Sequence, residues 1–393
     1  MILFVIIDAL GWEQLQKRMF LNDIMPYREC LKTIFGYSTG AIPSILTGKP
    51  PGEHGHWNLF YLSPQTSPFA WIKKNKFINS QIFLENKYSR EIIRRISRFK
   101  SGYKGTFSLP LIPFDRVTVT PGDYLGNFDI CEKKWLFKSQ SLDLTENIFD
   151  VLEKRAVSYN CYTYKDMNDE IIAESALGDI IRGAFDFYFI YFSEFDECQH
   201  LYCDDEELIT KKIQWYDSHI RKLYFALRDH SKDNTMILCS DHGMAEVKGF
   251  IDLMSVFNEL NIEFVNDYLA IFDSTMVRLW FFNEKSRDLI TTSLLKLDCG
   301  RILNDQELDD LGVLFCDRRY GDIIFLLNEG WIIHPGMMGK WKPRGMHGYH
   351  PDCSSSYAIF LSDREPEFKP RCITDIFRIL EDDINSMLKK RGN

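Results

Sequence analysis

No C-x-x-C pair and no dense cysteine framework occur here: ten cysteines are scattered along 393 residues, several of them in apolar runs. That pattern excludes a disulfide-stapled scaffold and points to buried free thiols in a reducing compartment. No apolar run approaches the length that spans a bilayer. Residues 1–7 are apolar but lack a basic leader and run straight into Asp8, so they read as a buried strand rather than a signal peptide. A soluble, cytoplasmic chain with no transmembrane segment is expected. A basic excess is also missing. With 47 basic and 56 acidic residues the net charge is −9, which argues against a nucleic-acid-coating surface and a duplex partner. A small phosphorylated substrate held by metals stays compatible with that balance. Internal repeats and low-complexity tracts are absent. Hydrophobic residues at 45% and charged ones at 26% describe an ordinary globular protein, long enough for one large α/β domain with insertions or for two domains.

Taken in order, residues 2–7 have the near-continuous apolar pattern of a central parallel strand, which puts Asp8 at its carboxyl end, where open α/β sheets place ligands. A helix is expected over 10–21. The stretch Gly36-Tyr37-Ser38-Thr39-Gly40-Ala41 follows as a turn before an apolar helix at about 41–47. From 57 to 134 regular alternation gives way to an aromatic-rich insertion. Its basic cluster Arg90, Arg94, Arg95, Arg98 and Lys100 reads first as a solvated helix face. Helical pattern at 142–155 and a strand near 158–164 return the chain to its core. An apolar strand over 185–192 then delivers Asp196 and His200, a long amphipathic helix occupies 207–229, and the strand 235–239 ends in Ser240-Asp241-His242-Gly243. Strands at 276–282, 312–315 and 322–327 with a helix at 284–297 suggest a small α+β insert. Core sequence resumes at Gly345-Met346-His347-Gly348, followed by a strand at 357–361 and a helix at 373–389.

Three strand ends thus supply Asp8, the pair Asp196 and His200, and the pair Asp241 and His242, while a later loop supplies His347. Carboxylates mixed with imidazoles suit zinc or another first-row divalent ion. Each piece also has an ordinary explanation: Ser38 or Thr39 as a helix cap, D-x-x-x-H as an ion pair on one helix face, Asp241-His242-Gly243 as a turn, His347 as a tight loop and Asp8 as an N-cap. All of these would have to hold at once for the set to be accidental.

As an ordered set, the motifs resemble the alkaline phosphatase superfamily, and within it the type I phosphodiesterase/nucleotide pyrophosphatase branch. The resemblance rests on Ser38 with its spacing to Thr47-Gly48, on Pro51-Gly52-Glu53-His54-Gly55, on the D-x-x-x-H pair, on Ser240-Asp241-His242-Gly243-Met244 and on His347-Gly348-Tyr349. It implies an α/β fold, an alkaline-phosphatase-like three-layer sandwich with a mostly parallel central sheet and an inserted α+β cap. Residues 1–255 would form the first part of the metal-binding core, 256–335 the cap, and 336–393 the completing part. The resemblance assigns Asp8, Asp241 and His242 to one metal together with the nucleophile Ser38, with Thr39 as the alternative hydroxyl. It assigns Asp196, His200 and His347 to a second. Two divalent ions are implied, zinc first and manganese second, acting on the Ser38 hydroxyl for in-line attack and giving a phosphoseryl intermediate. His54 and His350 match no ligand position and are left as loop residues.

The activity implied is hydrolysis of a phosphodiester or pyrophosphate in a small nucleotide-, sugar- or lipid-linked substrate. A phosphomonoesterase, a phosphotransferase acting on a sugar or lipid hydroxyl, and a non-catalytic metal-binding scaffold are the rival readings. One departure bears on substrate: the nucleotide pyrophosphatases carry an Asn three positions after the nucleophile, and this chain has Ala41 there. The sulfatase pattern is absent around Ser38.

Overall fold

The computed structural model describes residues 1–74, 87–101, 120–165, 167–337 and 341–392. Parts of the 57–134 insertion, residues 75–86 and 102–119, lie outside the described residues. The chain separates into two compact units, one made of residues 1–54, 137–246 and 343–393, the other of 55–136 and 247–342.

The first unit is built on a six-stranded sheet. Its strands in chain order are β1 (Ile2–Ile7), β2 (Tyr27–Leu31), β3 (Tyr159–Tyr162), β4 (Phe187–Phe192), β5 (Thr235–Cys239) and β6 (Ala358–Ser362). They lie side by side as β2–β6–β5–β1–β4–β3. β1 pairs in parallel with both β4 and β5, β3 pairs in parallel with β4, and β6 alone runs against its neighbours. Every residue of β1 and β4 is buried, because helices cover both faces of the sheet. On one face Leu3, Val5 and Ile7 pack with Ile172 and Ile180 of helix Asp169–Arg182 and with Ile213, Ile220 and Leu227 of helix Glu206–His230. On the other, Phe4 meets Phe189 edge-on, and Phe149 of helix Ile148–Lys154 packs on the same Phe189 ring. Two-sided burial explains why these strands are continuous apolar runs rather than alternating ones. It also leaves the strand ends as the sheet's polar positions.

The second unit joins two distant stretches of sequence around one core. Phe60, Phe69, Ile72, Ile93, Tyr124 and Phe128 pack with Leu253, Phe257, Leu269, Leu279 and Trp280. Its four-stranded antiparallel sheet runs Tyr268–Phe272, Met276–Phe281, Ile323–Leu327, Gly300–Ile302. The aromatic-rich stretch 57–134 and the α+β stretch 256–335 therefore belong largely to one body.

Several local expectations need correction. The helix expected over 10–21 is only Trp12–Gln16, and by Leu21 the backbone has turned to φ 53°. The strand expected over 312–315 is not formed. Instead Gly312, at φ 67°, ends helix Asp305–Asp310, with Gly312 N–H donating to Asp309 O and Val313 N–H to Leu308 O, a left-handed helix stop of the kind glycine favours. The helix expected at 41–47 begins three residues earlier, at Ser38. The helix expected over 142–155 is Ile148–Lys154, started by a reciprocal cap between Asn147 and Asp150.

Candidate active site

Asp8 leaves the carboxyl end of β1, and its own N–H is held by Phe192 O of β4 at 2.9 Å. The next residue, Ala9, is left-handed at φ 62°, a conformation costly for a residue with a Cβ. It is pinned on both sides: its N–H donates to Asp241 Oδ1 at 3.1 Å, and its carbonyl accepts from the Gln199 amide at 2.6 Å. The strained kink thus ties the ends of β1 and β5 to helix Glu194–Tyr202. Just beyond, the backbones after β1 and β5 pass so closely that a Cβ on Gly11 would lie 2.6 Å from Gly243 Cα, and the turn leading into β6 comes so near that a Cβ on Gly243 would lie 2.2 Å from Ser355 O. Only glycine fits after His242.

Helix Glu194–Tyr202 presents Asp196 and His200 four residues apart on one face. Their facing atoms, Oδ2 and Nε2, are 3.3 Å apart. His200 Nδ1 lies 2.8 Å from Gly345 O; a carbonyl only accepts, so Nδ1 donates and Nε2 is the ring atom turned to the carboxylate. Burial would lower this imidazole, but Asp196 outweighs it and holds His200 above its ordinary value. His242 is arranged alike, with Nδ1 2.9 Å from Gly243 O and Nε2 3.2 Å from Asp241 Oδ2 and 3.5 Å from Asp8 Oδ1. His347 stacks face to face on His242 at 3.8 Å, and its Nε2 is 3.6 Å from Asp196 Oδ1. Tyr37 closes edge-on against His347.

Ser38 opens helix Ser38–Thr47, and its Oγ lies 3.0 Å from His242 Nε2. The N-cap residue, Tyr37, gives the helix no side-chain cap. The first amide donors of the helix therefore stay unclaimed by a cap, at the end where an anion is favoured. Beneath, Ser44 Oγ meets His54 Nε2 at 2.9 Å in the buried interior. His54, expected to be a loop residue, ends the short helix Pro51–His54 and braces the helix that carries Ser38.

All seven residues singled out in the sequence, Asp8, Ser38, Asp196, His200, Asp241, His242 and His347, converge in the first unit. Two groups of them could each hold a metal ion: Asp196, His200 and His347, and Asp8, Asp196 and His242, with the ligand atoms of each group within 4.8 Å of one another. Asp196 is common to both. The donors fit a cation well. Among the described residues no hydrogen-bond donor reaches Asp8 Oδ1, Asp196 Oδ1 or Asp241 Oδ2, all three buried, while the second oxygen of Asp8 accepts from Tyr191 and that of Asp241 from the Ala9 and His242 amides. Each of these two carboxylates therefore has one oxygen fixed by the protein and one left bare.

Charge tells the same story. Burial, then the Asp241 and Asp196 carboxylates, push Asp8 well above the usual carboxylate range. Burial would raise Asp196 too, but the imidazoles of His200, His347 and His242 outweigh it and hold Asp196 below its ordinary value. Burial and the neighbouring His242 and His200 drive His347 well below the usual imidazole range, so it is a neutral donor. Three buried carboxylates crowded together in this way favour a divalent ion, which would offset their charge.

Three of the supporting residues carried no signal in the sequence. Tyr191 sits in an unbroken aromatic strand, Gln199 lies inside D-x-x-x-H without being part of it, and Thr33 donates from a loop to Asp241 O at 2.6 Å.

The family model for type I phosphodiesterase/nucleotide pyrophosphatase matches residues 2–350. The chain belongs to that family. It is a phosphoric ester hydrolase of the nucleotide pyrophosphatase/phosphodiesterase type within the alkaline phosphatase superfamily, and the family is metal-dependent. Among solved structures, human ectonucleotide pyrophosphatase/phosphodiesterase 5 is similar at 15% identity and a TM-score of 0.66, over 98% of this chain and 94% of that one. Its murine counterpart is similar at 16% identity and a TM-score of 0.63, over 98% and 95%. At such identities the likeness concerns the fold, whose mostly parallel sheet is the one expected from sequence. Comparison with curated proteins finds no match.

Proposed function

We propose that this hydrolase cleaves a phosphodiester or pyrophosphate linkage of a small nucleotide-, sugar- or lipid-linked substrate, with Ser38 as nucleophile beside two divalent ions. The observation that carries the proposal is the 3.0 Å approach of Ser38 Oγ to His242 Nε2, beside the three carboxylate oxygens that no donor reaches. Asp8, Asp241, His242 and Ser38 would hold one ion, and Asp196, His200 and His347 the other. Ser38 Oγ, Asp241 Oδ2 and Asp8 Oδ1 lie 3.0, 3.2 and 3.5 Å from His242 Nε2, and Asp196 lies 3.3 Å from His200 and 3.6 Å from His347, so each set of donors is gathered closely enough to share a cation. When bound, such ions lower the pKa of a coordinated hydroxyl and offset charge on phosphoryl oxygens.

The chain's own residues define the rest. Ser38 Oγ loses its proton to solvent and attacks phosphorus in line; the bond to the leaving oxygen breaks, and a phosphate ester forms on Ser38. The open amides at the start of the Ser38–Thr47 helix face the anionic group. Water then cleaves the ester and restores the serine. Two inversions give net retention at phosphorus. One murine structure of the related phosphodiesterase was solved as an inactive threonine-to-alanine form in complex with AMP, which supports a nucleotide-type substrate here. With Ala41 in place of the family's Asn, the phosphoryl oxygen is held differently, so the choice among nucleotide, sugar and lipid substituents is open to test.

The test is metal-replete turnover of bis-p-nitrophenyl phosphate beside p-nitrophenyl phosphate, with Ser38→Ala as control. Preference for the diester, lost in the variant, is expected. Preference for the monoester would move the assignment to a phosphatase. No turnover of either ester, with two ions bound per chain, would favour a transferase or a scaffold instead.

A further inference from the structure

We propose, resting on the two-ion reading of the active site, that Gln199 is a positioning residue whose amide is turned the right way by Gln14 and Arg18. Gln199 lies on helix Glu194–Tyr202 between Asp196 and His200 and is fully buried. Its Nε2 donates to the Ala9 carbonyl at 2.6 Å. Ala9 follows Asp8 at the strained φ of 62° and needs support from outside the turn. Its own N–H donates to Asp241 Oδ1 at 3.1 Å. One buried amide therefore joins the helix that carries Asp196 and His200 to the turn that carries Asp8 and steadies Asp241. It sets how the two groups of ligands stand relative to each other.

A glutamine amide has a donor and an acceptor of nearly equal shape, so packing alone does not decide which way it is turned. Here hydrogen bonds decide. Gln14, half-buried on helix Trp12–Gln16, donates from Nε2 to Gln199 Oε1 at 3.2 Å. Arg18 Nη1 donates to Gln14 Oε1 at 2.5 Å. A guanidinium only donates and a peptide carbonyl only accepts. With Arg18 at one end and Ala9 O at the other, each amide between them has one orientation that satisfies every contact. Arg18 is anchored in turn, its Nε donating to Thr210 Oγ1 at 2.9 Å and its Nη2 to Glu206, both on helix Glu206–His230. Bonds that all donate in one direction thus run from Arg18 inward to the backbone between the two groups of ligands.

Polarity gives the test a signature that packing lacks. Gln14→Leu removes one donor and leaves Gln199 its bond to Ala9. Gln14→Glu keeps size and shape but offers Gln199 only an acceptor. The amide then turns Nε2 toward residue 14 and its oxygen toward the Ala9 carbonyl, where two acceptors repel. Simple attraction by the added carboxylate would instead tighten the binding of a cation. The measurement is zinc affinity of the full chain by competition with a chromophoric chelator, beside elemental analysis of bound zinc. Gln14→Glu should weaken zinc about tenfold or more, Gln14→Leu by less than about threefold, and Gln199→Met by about 10–100-fold. Zinc bound by Gln14→Glu as tightly as by Gln14→Leu, or more tightly, would overturn the proposal, and so would an unchanged Gln199→Met. Fewer than two ions in the wild type would overturn the active-site reading and this one with it. Two ions in the wild type, with no gap between the two Gln14 variants, would sink this one alone.

Discussion

Tyr191 on β4 donates its phenolic hydrogen to Asp8 Oδ2 at the end of the neighbouring strand β1. The bond occupies one oxygen of Asp8 and leaves Oδ1, which no donor reaches, directed at the histidine cluster. Tyr191 is itself buried among Phe137 and Tyr164, so its hydroxyl has little freedom to turn away. Partners of this kind orient a metal ligand and are worth about 10–100-fold in metal affinity.

Tyr191→Phe keeps the ring packing and removes only the hydroxyl. Zinc affinity, measured by competition with a chromophoric chelator, should fall about 10–100-fold, with turnover recovering as zinc is raised. An unchanged affinity would mean that Asp8 is oriented without Tyr191.

Removing metal should also cost stability. Without a cation, Asp8, Asp196 and Asp241 are left crowded together, and Asp8 is held well above the usual carboxylate range by burial and by its two neighbours. Zinc at about a hundred times its Kd should add about 3 kcal/mol per site against unfolding. Elemental analysis should find two ions per chain. An unfolding midpoint that ignores chelator, or one ion at saturation, would contradict the two-site account.

Asp363, far from this chemistry in the chain, offers a test of electrostatics in the fold. Its side chain is only 2% exposed, Arg228 is 3.8 Å away, and neither carboxylate oxygen has a hydrogen-bond partner. Burial pushes it up to about 6, against the opposing pull of Arg228. Its proton is thus bound more tightly in the folded than in the unfolded chain, and stability falls as pH rises from about 4 to about 6. Asp363→Asn escapes that loss. The variant should match the wild type near pH 4 and gain up to about 2–3 kcal/mol above pH 6, read from denaturant unfolding across pH. A gain that is constant with pH would point to packing instead.

The ligand residues were legible because of where they sit. β1, β4 and β5 are buried on both faces and almost wholly apolar, so the carboxylates just beyond them stand out, Asp8, Asp196 and Asp241 among them. After β4, though, Glu194 comes first and pairs with Lys212 instead. The supporting residues were not. Tyr191 belongs to the run FYFIYF and looks like packing until Asp8, distant in sequence, is placed beside it. His54 was visible in its motif, but its bond to Ser44 depends on how two helices fold together. Residues 312–315 have the composition of a strand, yet local hydrogen bonds from Gly312 and Val313 close a helix end there. That stretches 57–134 and 256–335 share one core follows from long-range packing such as Tyr124 against Phe264, which no local pattern announces.

The central claim is that Ser38, rather than Thr39, carries the phosphorus between the two halves of the reaction. The direct measurement is peptide mass spectrometry of enzyme quenched in acid during turnover of a diester, on wild type, Ser38→Ala and Thr39→Ala. A phosphate-ester adduct on Ser38 is expected in the wild type and in Thr39→Ala. In Ser38→Ala the adduct should vanish and turnover should fall by at least about a thousandfold even at saturating metal. An adduct on Thr39, or full turnover by Ser38→Ala, would contradict it.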